Sequence, residues 1–432
     1  MAVYVSFFSI IFFSTDTPLY AASIHSDPKI IVAPHCLIKK IPLKSYHLLA
    51  SYAEIALIRM NTIDTLVNAK NSRDKTTCGG FVDVSDSWNE FNSANPSIKQ
   101  SALLFLKRFD FLGKQTSALT TVDYKIRYKT QVNQLLQTIN PQFMWDSLTL
   151  LTQFPDRYID SENGVKAAKW FKEQIEKMAA ESGRSDISVQ YVQTGNYKQP
   201  SVVAKIGAST KAGVVIGGHM DTLSSRFGIK PGADDDGSGS VTTLEVARTL
   251  ITSGMKFSKP IYIIWYAGEE EGLIGSGYVV KYFKAKTIPV DAVLQFDMTG
   301  YASKNEPTLW LMTDNVNKNL TDFLETLINE YVKQPVGRTR CGYQCSDHAS
   351  WNNGGYPASF PFEAANHMED PYIHTSQDKM EFLSLNHMSD FAKLGIAFAV
   401  ELAEPEGVGA DQPKLSSVDN VNHLNKGLKK ID

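Results

Sequence analysis

Histidine and acidic side chains follow two apolar runs of this chain, at the points where the runs end. The run 213–217 leads into His219 and Asp221, and the run 260–266 leads into the triple Glu of residues 269–271. Both runs have the length and composition of buried strands. Imidazole and carboxylate groups are ligands that zinc accepts in proteins, so these strand ends are candidates for a metal site.

Two further acidic segments extend this set. Asp297 directly follows the apolar run 291–296, and a Gly-rich acidic loop, PGADDDGSG, spans residues 231–239 and opens a helical pattern. Several carboxylates that lie near one another are costly to bury unless cations neutralise them. An odd Asp that two ligand groups share suits a pair of ions, so the pattern predicts a two-metal site.

Each segment taken alone also has a structural explanation. A single His after a strand is usually structural, and an Asp-rich Gly loop is more often an Asx turn, a helix cap or a calcium loop. A triple Glu can be the acidic first turn of a helix, where the helix dipole favours it. The order of the segments and their shared position after apolar runs favour the metal-site interpretation.

From about Gln131 onward, helix patterns alternate with strand patterns. Near-continuous apolar strands between helices predict an α/β fold with a mostly parallel, mixed sheet that helices cover on both faces. In such sheets ligands bind at the carboxyl ends of strands, where the donor groups fall. The predicted helices span 164–182, 239–250, 272–283, 320–332 and 382–402, and the predicted strands span 201–206, 213–217, 260–266, 291–296 and 308–312.

The first residues have the pattern of a signal peptide. Residues 2–13 form an uncharged apolar run that is too short to cross a bilayer as a helix. Small residues follow at Ala21, Ala22 and Ser23, as a signal-peptidase site requires. The usual preceding basic residues are missing, and a buried terminal strand is the alternative. We predict a signal peptide over residues 1–22 and therefore a secreted protein.

The rest of the chain divides into three predicted parts. Residues 23–125 contain a helical pattern over 43–69 and no cluster of ligand-type residues. We expect them to form an accessory domain or the pro-segment of a zymogen. The catalytic domain is assigned to residues 126–404, and a polar tail to residues 405–432.

Charge and composition limit the classes of partner that the chain is expected to bind. The formal net charge of the 432 residues is -3, the pI is about 6.3, and no Lys/Arg block is present. Neither nucleic acid nor an anionic membrane is therefore expected as a partner. No later segment reaches about 18 consecutive apolar residues, so no membrane span is predicted.

The chain has four cysteines, Cys36, Cys78, Cys341 and Cys345. An even number in an exported chain favours disulfides. Cys341 and Cys345 are close enough in sequence to pair within a tight turn, which leaves Cys36 and Cys78 for a second bridge. A metal site is the alternative for the first pair, but no second Cys pair or nearby His pair completes it.

Several motifs, in the same order along the chain, carry a family resemblance. They read GGHMD, PGADDDGSG, YAGEEEGLIGS, QFDMTGY, CGYQCSDHASW and IHTSQD, and the resemblance covers roughly residues 130–403. The chain resembles the secreted bacterial di-zinc leucine aminopeptidases, within a wider metallopeptidase family that includes glutamate carboxypeptidases and glutaminyl cyclases. The resemblance implies two zinc ions per chain, and the chain is expected to be a monomer. The family resemblance also implies that a water bridged by these ions removes the N-terminal residue of a peptide.

The resemblance also implies a ligand set. By position, Asp235 would bridge the two zinc ions. His219 and Asp297 would complete the coordination of the first ion, and Glu270 and His374 that of the second. Family members place a cis peptide bond after the bridging Asp, so a cis bond after Asp235 is expected.

Four more residues receive roles by position. Asp221 and Asp236 would lie beside the ligands, with Asp221 orienting the neighbouring His ligand. Glu269 resembles the family's general base, since a carboxylate must take a proton from the attacking water and return it to the leaving amine. Tyr343, between the two C-terminal cysteines, resembles the hydroxyl that donates to the developing oxyanion.

The predicted substrate pocket departs from the leucine pattern. Its residues are Met298, Phe362, Asn366, Glu369 and Ile373. Asn366 and Glu369 stand where leucine-preferring members place aromatic residues. An apolar P1 side chain is expected from the remaining residues, whereas the acidic Glu369 would favour Lys or Arg.

Three rival functions compete with the aminopeptidase. A glutaminyl cyclase resembles a one-zinc version of this site, whereas the chain keeps candidates for both ions. A carboxypeptidase needs basic residues for the substrate carboxylate, and Arg338 and Arg340 match no such motif. A protein without enzymatic activity would usually have lost a ligand or the base, and none is missing here.

Overall fold

The computed structural model describes residues 28–63, 65–66, 69, 80–93, 98–114, 122–302, 309–365 and 368–411. The predicted signal peptide lies outside these residues, as do Cys78, the predicted pocket residue Asn366 and most of the C-terminal tail. The pairing of Cys36 with Cys78 therefore stays a prediction.

The described residues between 28 and 114, here called the N-terminal unit, have a sheet of their own. It has four strands, and each neighbouring pair is antiparallel. Numbered along the chain, the strands lie side by side in the order 2-3-1-4. The strands are β1 (Lys29–Pro34), β2 (His47–Tyr52), β3 (Ile55–Met60) and β4 (Val82–Asp83), and the helices are α1 (His35–Ile38), α2 (Ser85–Ser93) and α3 (Ile98–Lys114).

The helix predicted over residues 43–69 is wrong for most of its length. Residues 47–60 form the hairpin of β2 and β3, with Ala53 at positive φ in the turn. Side chains of β3 alternate between two apolar cores, since Ile58 lies in one and Leu57 in the other. A strand buried on both faces is apolar at nearly every position, and such a run also satisfies helical spacing.

The main domain contains a six-stranded mixed sheet and a separate three-stranded sheet. Its strands are β5 (Ile187–Val192), β6 (Ser201–Ile206), β7 (Gly213–His219), β8 (Ile261–Tyr266), β9 (Val290–Gln295), β10 (Leu309–Met312), β11 (Val336–Thr339), β12 (Ala358–Ser359) and β13 (Pro361–Phe362). The large sheet has the order β12-β9-β7-β8-β6-β5, and the small sheet has the order β11-β10-β13. The strand predicted at 308–312 thus exists, but it lies in the small sheet.

Helices cover both faces of the large sheet, as predicted. They are α4 (Lys129–Leu136), α5 (Pro141–Leu151), α6 (Glu162–Glu181), α7 (Gly239–Thr252), α8 (Ile274–Ala285), α9 (Lys318–Leu327), α10 (His348–Asn353) and α11 (Leu385–Ala403). Strand β8 shows why both faces need covering. Its residues Ile261, Ile263 and Trp265 join one core, and Tyr262 and Ile264 join the other. The predicted α/β fold is confirmed.

Two local predictions concern a peptide bond and a disulfide. The peptide bond between Asp235 and Asp236 is cis, as expected. Cys341 and Cys345 form a disulfide. Among the described residues, no helix combines the length and the apolar character needed to cross a membrane.

Candidate metal centre and active site

Three neighbouring parallel strands bring the predicted donor groups to one edge of the large sheet. In the register of β7 with β8, His219 lies opposite Tyr266, and in that of β7 with β9, Gly217 lies opposite Gln295. The segments that follow these strands therefore begin at the same edge. The acidic loop Ala233–Ser238 leads from this edge into α7.

The first group of potential ligands surrounds His219. Its Nε2 lies 3.1 Å from Asp235 Oδ1 and 3.6 Å from Asp297 Oδ1. One ligand atom from each of these residues lies within 4.8 Å of the other two. All three side chains are buried, so little water competes for the same position.

The second group uses the other oxygen of Asp235. His374 Nε2 lies 2.8 Å from Asp235 Oδ2 and 3.1 Å from Glu270 Oε2. Asp235 therefore belongs to both groups, with one oxygen facing each His. The five residues predicted as ligands all meet at this place.

The electrostatics of the cluster are those of crowded, buried carboxylates. Burial raises the pKa of Asp236 well above its usual range, and the nearby charge of Asp297 adds to this. Burial lowers the pKa of His219, but the carboxylates of Asp297, Asp221 and Asp235 outweigh it and raise that pKa well above its usual value. Bound cations would offset this concentration of negative charge, and imidazole nitrogen with carboxylate oxygen fits zinc.

Asp221 and Asp236 connect the ligands to the backbone. Asp221 Oδ1 lies 3.4 Å from His219 Nδ1, and the two Asp221 oxygens accept hydrogen bonds from the backbone N–H groups of Glu269 and Glu270 at 3.0 and 3.2 Å. Asp236 accepts from the N–H groups of His219, Gly239 and Met298. Each carboxylate thereby holds two or more segments of the site together.

Two supporting residues, Asp378 and Arg157, received no role from the sequence. Asp378 accepts hydrogen bonds from the N–H groups of Asp234 and Asp235 at 2.7 and 3.1 Å. Arg157 is fully buried and donates to the carbonyl oxygens of Met220, Pro231 and Gly232. Since their partners are backbone atoms, no spacing of residue types could have revealed them. The acidic IHTSQD motif contains Asp378 but does not indicate its role.

A cleft opens from the donor groups and is lined by Glu269 and by a largely apolar wall. Predicted pocket residues Met298, Phe362, Glu369 and Ile373 all lie in this wall. Met312 and Phe360, which no sequence motif indicated, line the same cleft, together with the predicted disulfide of Cys341 and Cys345. Their signal was weak because β10 and β13 were not recognised as walls of the site.

The turn closed by the disulfide presents Tyr343 to the cleft. Asp314 accepts hydrogen bonds from the N–H groups of Cys341 and Gly342 at 3.1 and 2.7 Å, and Asn315 donates to the Tyr343 carbonyl at 3.1 Å. The turn is thus held by the segment that follows β10 as well as by its covalent link.

Two imidazole groups and three carboxylates meet beside the carboxyl edge of an α/β sheet, which is the arrangement of a metal-dependent enzyme. Residues 201–399 match the model of Peptidase family M28. A probable leucine aminopeptidase of Arthroderma otae is 36% identical over an alignment of 301 residues, and the match covers 67% of this chain and 81% of that protein. The chain belongs to Peptidase family M28.

Solved structures agree with this assignment. The LapA aminopeptidase of Legionella pneumophila has 43% identity and a TM-score of 0.77, and the match covers 87% of this chain and 98% of that one. LapB of the same organism has 37% identity and a TM-score of 0.78, with coverage of 88% and 100%. The chain is a zinc-dependent aminopeptidase that acts on peptide N-termini, which confirms the predicted family and enzyme class.

Proposed function

We propose that this aminopeptidase is secreted, holds two zinc ions and uses Glu269 as its general base. The position of Asp235 carries the proposal, since its two oxygens face one His each. His219 and Asp297 would complete the coordination of the first ion, and Glu270 and His374 that of the second. The apolar run at residues 2–13 and the disulfide support export.

The catalytic roles follow from what lines the cleft. Zinc ions bound there would supply an activated water and polarise the scissile carbonyl. The Glu269 carboxylate takes a proton and returns it to the leaving amine. Tyr343 donates a hydrogen bond from its hydroxyl to the oxygen that becomes negative. The apolar wall of the cleft excludes bulk water, which strengthens these charge interactions.

The function is tested with a panel of aminoacyl-p-nitroanilides and N-blocked peptides, assayed with and without a chelator. The enzyme is collected from the medium of cells that express the full chain, so export is tested at the same time. We expect hydrolysis of substrates with a free amino terminus and loss of activity with chelator that added zinc restores. Hydrolysis of N-blocked peptides, or full activity after zinc removal, would contradict the proposal.

Among the predicted pocket residues that the structure describes, Glu369 is the charged one, beside the apolar Met298, Phe362 and Ile373. Glu369 is half-buried, and its Oε2 contacts no hydrogen-bond donor within the part of the chain that the structure describes. A Lys or Arg side chain could pack its stem along Phe362 and Met298 and bring its cation to the Glu369 carboxylate, which lines the cleft. We therefore propose that the pocket accepts basic side chains as well as apolar ones.

Glu369→Gln is expected to lower kcat/KM for a Lys substrate by about tenfold, the loss expected for one charge-assisted hydrogen bond. The value for a Leu substrate should stay within about twofold. Kinetics on both p-nitroanilides measure the ratio, and Glu381→Gln, at an exposed position, is the matched control. An unchanged Lys/Leu ratio would show that Glu369 does not select the P1 side chain.

A further inference from the structure

The N-terminal unit touches the main domain at the loop that carries Glu269. The backbone N–H of Asp83 donates to the Gly272 carbonyl at 3.2 Å. A Cβ at Gly272 would lie 2.8 Å from that nitrogen and 3.3 Å from the ring of Phe81, and Gly272 has φ +98°. The two backbones approach so closely that only glycine fits there.

Gly272 is one hydrogen-bonded turn away from Glu269. The N–H groups of Gly272 and Leu273 donate to the Glu269 carbonyl at 2.8 and 2.9 Å. From the opposite side, Asp221 accepts from the N–H of Glu269 at 3.0 Å. The Glu269 backbone is therefore held between Asp221, inside the main domain, and the N-terminal unit outside it.

A cation makes a second connection between the two parts. Lys29 Nζ lies 3.2 Å from Asp83 Oδ2 and 5.0 Å from the ring centre of Tyr197, in the loop before β6. Burial lowers the pKa of Lys29, but Asp83 and Tyr197 outweigh it and raise the pKa above its usual value. The ammonium group thus stays charged, and it links strands β1 and β4 to the main domain by an ion pair and a cation–π contact.

The N-terminal unit contacts elements next to the cleft but does not line it. Helix α3 packs against α10, which follows the turn that presents Tyr343. Every residue lining the described cleft comes from the main domain, so the described part of the N-terminal unit does not fill the space that substrate needs. An inhibitory segment that competes with substrate would have to enter that space.

We propose that the N-terminal unit stays docked in the active enzyme and positions the loop that carries Glu269, with Phe81 and Lys29 as positioning residues. The proposal rests on the proposed role of Glu269 as the base. Of the two expectations for residues 23–125, the proposal favours an accessory domain over the pro-segment of a zymogen. A shift of about 1 Å in a catalytic group can cost up to about 10²-fold in rate, so loosening this contact should lower kcat.

The test uses the full chain with Phe81→Ala and, separately, Lys29→Met. We expect each to lower kcat by about tenfold or more, with KM within about twofold and bound zinc unchanged. Lys29→Arg should restore most of the activity, because it keeps a cation beside Tyr197. Leu48→Ala, at an exposed position of β2 away from the contact, is the matched control.

A rise in kcat for either variant would show that the unit inhibits and would overturn the proposal. An unchanged kcat, with faster amide hydrogen exchange at residues 269–273 showing that the contact is broken, would overturn it as well. If Phe81→Ala does not fold, the kinetics of Lys29→Met decide the question. If Lys29→Met does not fold, those of Phe81→Ala decide it. Hydrogen exchange measures the docking of the N-terminal unit and does not depend on which residue is the base. The result for docking therefore stands even if Glu269 is not the base.

Discussion

Replacing Glu269 by Gln is expected to lower kcat by about 10²- to 10⁴-fold, which is the contribution of a positioned general base. Glutamine keeps the size of the side chain but cannot take a proton. The zinc content should not change, because Glu269 lies outside both groups of potential ligands. KM should stay within a few-fold, since Glu269 is proposed to act on the proton rather than on the bound side chain.

The triple Glu contains its own control. Glu271 is as buried as Glu269, but it does not line the cleft. Glu271→Gln should therefore keep activity within about twofold. Steady-state kinetics on one p-nitroanilide, together with metal analysis of both variants, separate the two residues. If Glu269→Gln retained full activity with its zinc bound, another group would have to be the base.

The second large effect is expected for Asp235→Asn. The neutral amide has one acceptor oxygen in place of two charged ones, and its NH₂ group would point a donor towards one His. Because Asp235 belongs to both donor groups, the variant should lose at least one zinc ion per chain. The loss of several kcal/mol of charge stabilisation corresponds to a decrease in kcat/KM of about 10³-fold or more.

Metal analysis and kinetics on the same preparation measure this effect. Asp160→Asn, at an exposed position outside the site, is the matched control and should keep its zinc and its activity. His219→Ala and His374→Ala provide the comparison, since each removes a ligand from one group only. A variant Asp235→Asn that held two zinc ions per chain would contradict the bridging role.

Much of the main domain could be predicted because its strands are buried on both faces. The strand predicted at 201–206 is β6 residue for residue, and the run 260–266 differs from β8 by one residue. Such strands are short, continuous apolar runs, and the rule that ligands bind at the carboxyl ends of parallel strands places the groups that follow them. His219 and Asp297 were predicted together for this reason.

The same apolar signal failed in the N-terminal unit. The run in β3 satisfies helical and strand spacing alike, and only its pairing with β1 and β2 decides between them. Pairing between strands is a long-range interaction that local periodicity does not contain. Arg157 was missed for a related reason, since it binds backbone carbonyls that every residue type carries.

The sequence by itself determined the chemistry of the site: which donor atoms exist, and that most of them follow strands of one sheet. Residue types and strand periodicity are local properties, and they are sufficient for that conclusion. Local properties did not indicate which donors meet: His374 entered the predicted ligand set through the family resemblance, and in the structure it reaches Asp235 from a loop between β13 and α11. Only the tertiary structure decided that Asp83 of the N-terminal unit contacts Gly272. That contact depends on how two separately packed cores dock, which no spacing along the chain encodes.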